Sequence, residues 1–153
     1  MIRKALLGGL TLLALSLPAK ATLTFPTSGV WSEPRIYSGT SLATEPLNIN
    51  ETYKFKTKLS NYSDQSESDY LTAQITGPQN FTLDYGLVTI NPNDDSIRTR
   101  TLSDGFSIPG DYNITMNLDH GENISKDFKV IPEPASLVFL GLGAALLAKG
   151  KRR

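Results

Sequence analysis

Two stretches of this chain alternate apolar and polar side chains with a period of two residues. That alternation restricts its fold more than any other feature. Tyr53-Lys54-Phe55-Lys56-Thr57-Lys58-Leu59 puts apolar or β-branched side chains on one side and three lysines on the other. Tyr112, Ile114, Met116 and Leu118 alternate with Asn113, Thr115 and Asn117. Successive strand residues point to opposite faces, so both stretches read as half-buried strands. Leu71, Ala73 and Ile75 alternate with Thr72, Gln74 and Thr76, and Phe81, Leu83 and Tyr85 resume after the Gly77-Pro78 break. Leu87 to Ile90 is a short apolar run before Asn91-Pro92. Asp119-His120-Gly121-Glu122 reads as a hairpin turn, with Ile124 to Val130 as its returning strand. No part of the body shows a helical period. The expected core is Tyr53, Phe55, Leu59, Leu71, Ile75, Leu83, Tyr112, Ile114, Met116 and Phe128.

Short strands at even spacing, separated by turn residues, predict an all-β fold, specifically a β-sandwich. Phe106-Ser107-Ile108-Pro109-Gly110-Asp111-Tyr112 resembles the approach to the penultimate strand of immunoglobulin-like domains. The resemblance implies an immunoglobulin-like antiparallel β-sandwich in which the Tyr112 hydroxyl bonds back to the chain; the other reading makes Tyr112 an inward strand aromatic. The chain has no cysteine, so that family's disulfide is absent and the core must rest on apolar packing. Thiol catalysis and thiolate metal sites are excluded with it.

The formal charge of zero hides an uneven distribution. Seven of the fifteen basic residues lie at the two ends: Arg3, Lys4, Lys20, Lys149, Lys151, Arg152 and Arg153. Between Thr22 and Ile131, eight Lys/Arg face fourteen Asp/Glu, a net charge of −6. An acidic body repels phosphate backbones, which argues against nucleic acid as a partner.

The ends read as addresses. Met1-Ile2-Arg3-Lys4, the apolar stretch Ala5 to Leu17 and Pro18-Ala19-Lys20-Ala21 form a basic segment, a hydrophobic segment and an A-x-A site. Ala19 and Ala21 are the expected signal peptidase site, with cleavage before Thr22. A signal peptide over 1–21 is followed by a β-domain over 22–131. The tail, 132–153, consists of Pro132-Glu133-Pro134, an apolar stretch over 135–148 and a basic end, 149–153. As a helix, the fourteen apolar residues reach about 21 Å, short of the roughly 30 Å hydrocarbon core. Lys149, Lys151, Arg152 and Arg153 would stop transfer and stay cytoplasmic. The fold is thus expected to be flanked by an N-terminal signal helix and a short C-terminal transmembrane helix.

Those three tail parts, in that order, resemble the PEP-CTERM sorting signal. The resemblance covers about the last twenty-four residues and leaves the body open. It implies a Gram-negative host and recognition of Pro132, Glu133 and Pro134 by exosortase, a multi-pass membrane protease. The tail is then removed, and the protein is delivered from the inner membrane to the cell surface or extracellular matrix. A single-pass anchor with a proline-rich turn is the alternative.

Chemistry is sparse in the body. His120, the one histidine, falls in a predicted turn and reads as solvated. No nucleophile elbow, zinc-protease helix or phosphate-binding glycine loop occurs. Catalytic and metal-ligating residues and cofactors are therefore not expected. Asn91-Pro92-Asn93-Asp94-Asp95-Ser96 gathers oxygen atoms that suit calcium, but the same residues serve turns. Five Asn-x-Ser/Thr sequons, at Asn50, Asn61, Asn80, Asn113 and Asn123, follow from a Ser/Thr-rich composition. Trp31, the only tryptophan, reads as a core or strap residue before the first clear strand. The expected function is a structural or adhesive matrix protein without enzyme activity. A carbohydrate-binding module for exopolysaccharide is the second expectation.

Overall fold

The computed structural model describes residues 23–133. They form an all-β body of two sheets, with a single 3₁₀ turn at Gly29–Trp31 as the only helical element described. The nine strands are β1 (Arg35–Ser38), β2 (Ser41–Leu42), β3 (Leu47–Asn48), β4 (Tyr53–Ser60), β5 (Glu67–Thr76), β6 (Phe81–Ile90), β7 (Asp95–Leu102), β8 (Gly110–Leu118) and β9 (Asn123–Ile131). One sheet has the order β2-β1-β4-β7 and the other β3-β9-β8-β5-β6. All pairings are antiparallel except β3 with β9.

The period-two stretches fold as expected. On β4, Tyr53, Phe55, Thr57 and Leu59 are buried while the three lysines between them lie outward. On β8, Tyr112, Ile114, Met116 and Leu118 are buried. All ten expected core residues are buried, in one cluster drawn from both sheets. The expected hairpin turn also forms: Leu118 N–H donates to Glu122 O and Gly121 N–H to Leu118 O.

Phe106 lies near the centre of the cluster, its ring 4.7 Å from that of Tyr112, 5.5 Å from Phe81 and 5.6 Å from Phe128. It sits in the loop between β7 and β8. That loop is held by Gly105, at φ +63°, where a Cβ would lie 2.3 Å from the Glu51 carbonyl oxygen. Only glycine fits there.

In β6 the phase of the alternation changes. Leu71 pairs with Gly86 and Thr72 with Asp84, which leaves Tyr85 as an extra residue in a bulge. Before it Leu83 points inward; after it Val88 and Ile90 do, and Leu87 is 67% exposed. Tyr85 leans across to the other sheet, where its hydroxyl donates to Phe55 O at 3.0 Å.

Inward-pointing cations lie where the edges of the two sheets meet. Arg98 and Arg100 stand opposite Thr57 and Phe55 in register. Their guanidinium groups reach the Thr89 and Asp84 carbonyls of β6. Across the body, Lys126 of β9 meets Glu33 at 3.1 Å and Glu45 at 3.3 Å. Inward charges discourage an open edge from pairing with another chain.

Candidate functional site

β9 runs directly into the first residues of the expected sorting motif. Ile131 is its last residue, and its carbonyl accepts the Ile49 N–H at 3.0 Å. Pro132 and Glu133 follow outside any strand and are half-buried. Pro134, Ala19, Ala21, Lys149, Lys151, Arg152 and Arg153 lie outside the described residues. So do the signal helix expected within 1–21 and the transmembrane helix expected over 135–148. Among the described residues, no helix is long and apolar enough to cross a membrane. Beside the start of β8 and the end of β9 lies an open groove of about 580 Å³, lined by Glu45, Gly77, Asp111, Tyr112, Asp127 and Lys129.

Tyr112 fills both roles raised from its sequence. Its ring is buried, and its hydroxyl donates to Ile108 O at 2.7 Å, four residues back. Burial raises its pKa above the usual phenol value.

His120 is exposed in its turn, as the sequence suggests, and it also has carboxylate partners there. Its Nδ1 is paired with Asp69 Oδ2, and its Nε2 lies 3.4 Å from Glu122 Oε2. The other oxygen of Glu122 accepts the Phe25 N–H at 2.9 Å. The turn thus carries its histidine back over β5, while its Glu122 reaches the N-terminal segment. The Asp69 hydrogen bond raises the His120 pKa, and the Glu122 hydrogen bond adds to it. Among the described residues, no group of three or more His, Cys, Asp and Glu is arranged to hold a metal ion.

The acidic loop has structural partners. Asn93 adopts φ +53°, its N–H donates to Ser63 O, and Asp94 O accepts the Asn61 N–H. Asp95 belongs to β7 and pairs with Lys58 at 2.5 Å. Asn61 is 1% exposed and donates to the carbonyls of Gln65, Ile90 and Asn91. A side chain used in this way is closed to modification in the folded protein.

Trp31 is half-buried in the 3₁₀ turn, under the Arg35 guanidinium at 5.4 Å. Tyr37, on β1, lies under Lys56 Nζ at 4.1 Å. The sequence pattern sets Lys56 on the outward side of its strand but does not link it to Arg35 or Tyr37. Their relation depends on the β1–β4 register, in which Arg35 stands opposite Lys56 and Tyr37 opposite Lys54. β1 is four residues long and too short to show a period.

No family model matches the chain, and no curated protein does. Solved structures do. A mutant β-glucosidase from Listeria innocua in complex with laminaribiose is 14% identical with a TM-score of 0.51, over 65% of this chain and 16% of that one. A β-glucosidase involved in saponin metabolism from intestinal bacteria is 14% identical with a TM-score of 0.51, over 73% of this chain and 16% of that one. At that identity the likeness concerns the fold alone. The chain spans 16% of the length of these two enzymes.

Proposed function

We propose that this chain is an exported protein, sorted through its C-terminal tail by an exosortase-type membrane protease, with a structural or adhesive role in the extracellular matrix. The observation that carries this reading is the three-part tail directly after the last strand. Pro132-Glu133-Pro134 begins where the β9 ladder ends at Ile131. Two prolines hold that segment extended and off the apolar stretch that follows, and proteases bind extended chain. The start of the body supports the same reading, since Leu23 and Phe25, 1% and 2% exposed, enter the core just after Ala21.

The body in this reading is an immunoglobulin-like β-sandwich. Its support is the strand order. β1-β4-β7 corresponds to strands A-B-E of that fold, and β9-β8-β5-β6 to G-F-C and an added strand. The Tyr112 hydroxyl bond falls near the start of the strand equivalent to F, where the tyrosine corner belongs.

Replacing Pro132, Glu133 and Pro134 together by Ala tests the sorting step. Export should persist, because Ala19 and Ala21 are untouched. The variant should stay uncut in the inner membrane and keep Lys151-Arg152-Arg153, as wild type would in a host without the protease. Membrane fractionation and intact mass read the outcome. Wild type and variant both retained at full length would favour a plain anchor. A variant released and trimmed like wild type would overturn the sorting reading.

A further inference from the structure

The body is acidic, yet its cations are gathered. Of the eight Lys/Arg between Thr22 and Ile131, four lie on the outer face of β1 and β4: Arg35, Lys54, Lys56 and Lys58. The three lysines recur every second residue, roughly 7 Å apart along the strand. Arg35 stands directly opposite Lys56. Like charges facing each other across strands cost stability.

The other cations of the described body are engaged. Lys126 meets Glu33 and Glu45, Lys129 lies 3.9 Å from Asp111, and Arg98 and Arg100 reach carbonyls of β6. On the outer face, only Lys58 has a carboxylate partner among the described residues, Asp95. Arg35 and Lys56 lie over the rings of Trp31 and Tyr37 instead. A ring orients a cation without neutralising it. Thr99 and Thr101 of β7 extend the rows that hold Lys56 and Lys54 with hydroxyls.

We infer that the outer face of β1, β4 and β7 binds an anionic polysaccharide, a carboxylate-bearing sugar polymer laid along β4. Unneutralised cations meet its carboxylates, the two rings hold Arg35 and Lys56 in place for them, and the threonines supply hydrogen bonds. An anionic membrane fits less well. The chain leaves the body at the end of β9, so a bilayer there would meet the strand ends rather than this sheet face. The inference takes its biological setting from the proposed delivery to the surface; the binding itself belongs to the body and needs no sorting.

The test uses the full chain in nonionic detergent micelles, with polygalacturonate as probe, read by affinity electrophoresis. Polygalacturonate should retard the protein and neutral dextran should not. The effect should weaken as salt shortens the Debye length below the roughly 10 Å of 0.1 M solution. Replacing Arg35, Lys54 and Lys56 together by Gln should weaken binding by roughly tenfold or more, with circular dichroism checking the fold. Should that variant misfold, Lys54→Gln and Lys129→Gln remove the same charge from different sheets, and only the first should weaken binding. The inference is overturned by absent retardation, by equal losses in the two single variants, or by tighter binding to mixed micelles carrying phosphatidylglycerol. The basic ends are the same in every variant, so the differences between variants report on the body alone and fail separately from the sorting experiment.

Discussion

His120 sits between two carboxylates, Asp69 from β5 and Glu122 from its own turn, and its charge state is tied to folding. Its folded pKa is raised above the ordinary 6.5, chiefly by the Asp69 hydrogen bond. Its stabilisation is therefore complete below 6.5 and is lost as pH rises through the raised value. For Asp69, burial pushes the pKa up, but hydrogen bonds from His120 and the Tyr70 N–H outweigh it and leave it below 3.8. That contribution is present above 3.8 and is lost as pH falls through the lowered value. Wild type should therefore exceed His120→Gln in urea stability most between about pH 4 and 6.5, with a margin that shrinks as pH rises further. A margin independent of pH would refute the coupling. Thr57 makes the opposite case. It is fully buried, and its hydroxyl has no hydrogen-bond partner among the described residues. A buried hydroxyl without a partner costs about 1–3 kcal/mol, so Thr57→Val should hold or raise the urea midpoint. A loss of about 1 kcal/mol or more in unfolding free energy would mean that the hydroxyl is bonded after all.

Among the elements, β6 shows where a sequence pattern stops being readable. Phe81, Leu83 and Tyr85 alternate correctly, yet from Leu87 to Ile90 every residue is apolar or β-branched, so nothing in the run marks which face is inward. The bulge decides it by consuming one residue, and a one-residue slip exchanges the faces of everything after it. Gly86 permits the bulge at φ +77°, with open space where a Cβ would stand. Gly86→Ala should therefore cost about 1–2 kcal/mol from backbone conformation alone, measured by denaturant unfolding. No loss would mean that the bulge tolerates an ordinary residue. β7 is not legible in the sequence for a related reason. Asp95-Ser96-Ile97-Arg98-Thr99-Arg100-Thr101-Leu102 points arginines inward, and a charged inward face contradicts the pattern that identifies a strand from sequence. Its first residues read instead as part of an oxygen-rich loop.

For the molecule as a whole, the N-terminal segment is part of the core. Leu23 and Phe25 are buried, Thr24 bridges Ser60 in both directions, and Glu122 holds the Phe25 N–H. Removing residues 22–25 from the body should lower its stability by several kcal/mol, since each apolar side chain is worth about 1.5–3 kcal/mol on burial. Chemical denaturation of the matched pair measures this, and equal midpoints would refute the role. In the native host, N-terminal sequencing should find a mature chain that starts at Thr22, with this segment intact. A chain that keeps 1–21 would refute the cleavage.

The sequence by itself determined the all-β class, the faces of β4, β5 and β8, the β8–β9 turn and all ten expected core residues. The reason is local: a strand with one wet face must alternate, and that pattern is visible in seven consecutive residues. Only the tertiary structure decided the rest. β1, β2 and β3 are two to four residues long, too short for a period, and exist because β4 and β9 offer them edges. Phe106 is a core residue because Gly105 turns it inward from a loop. His120 meets Asp69 across fifty-one positions of chain, and Arg35 meets Lys56 only through the β1–β4 register. Such meetings depend on which strands become neighbours, and strand neighbours are chosen by burial of the whole core, which no local pattern records.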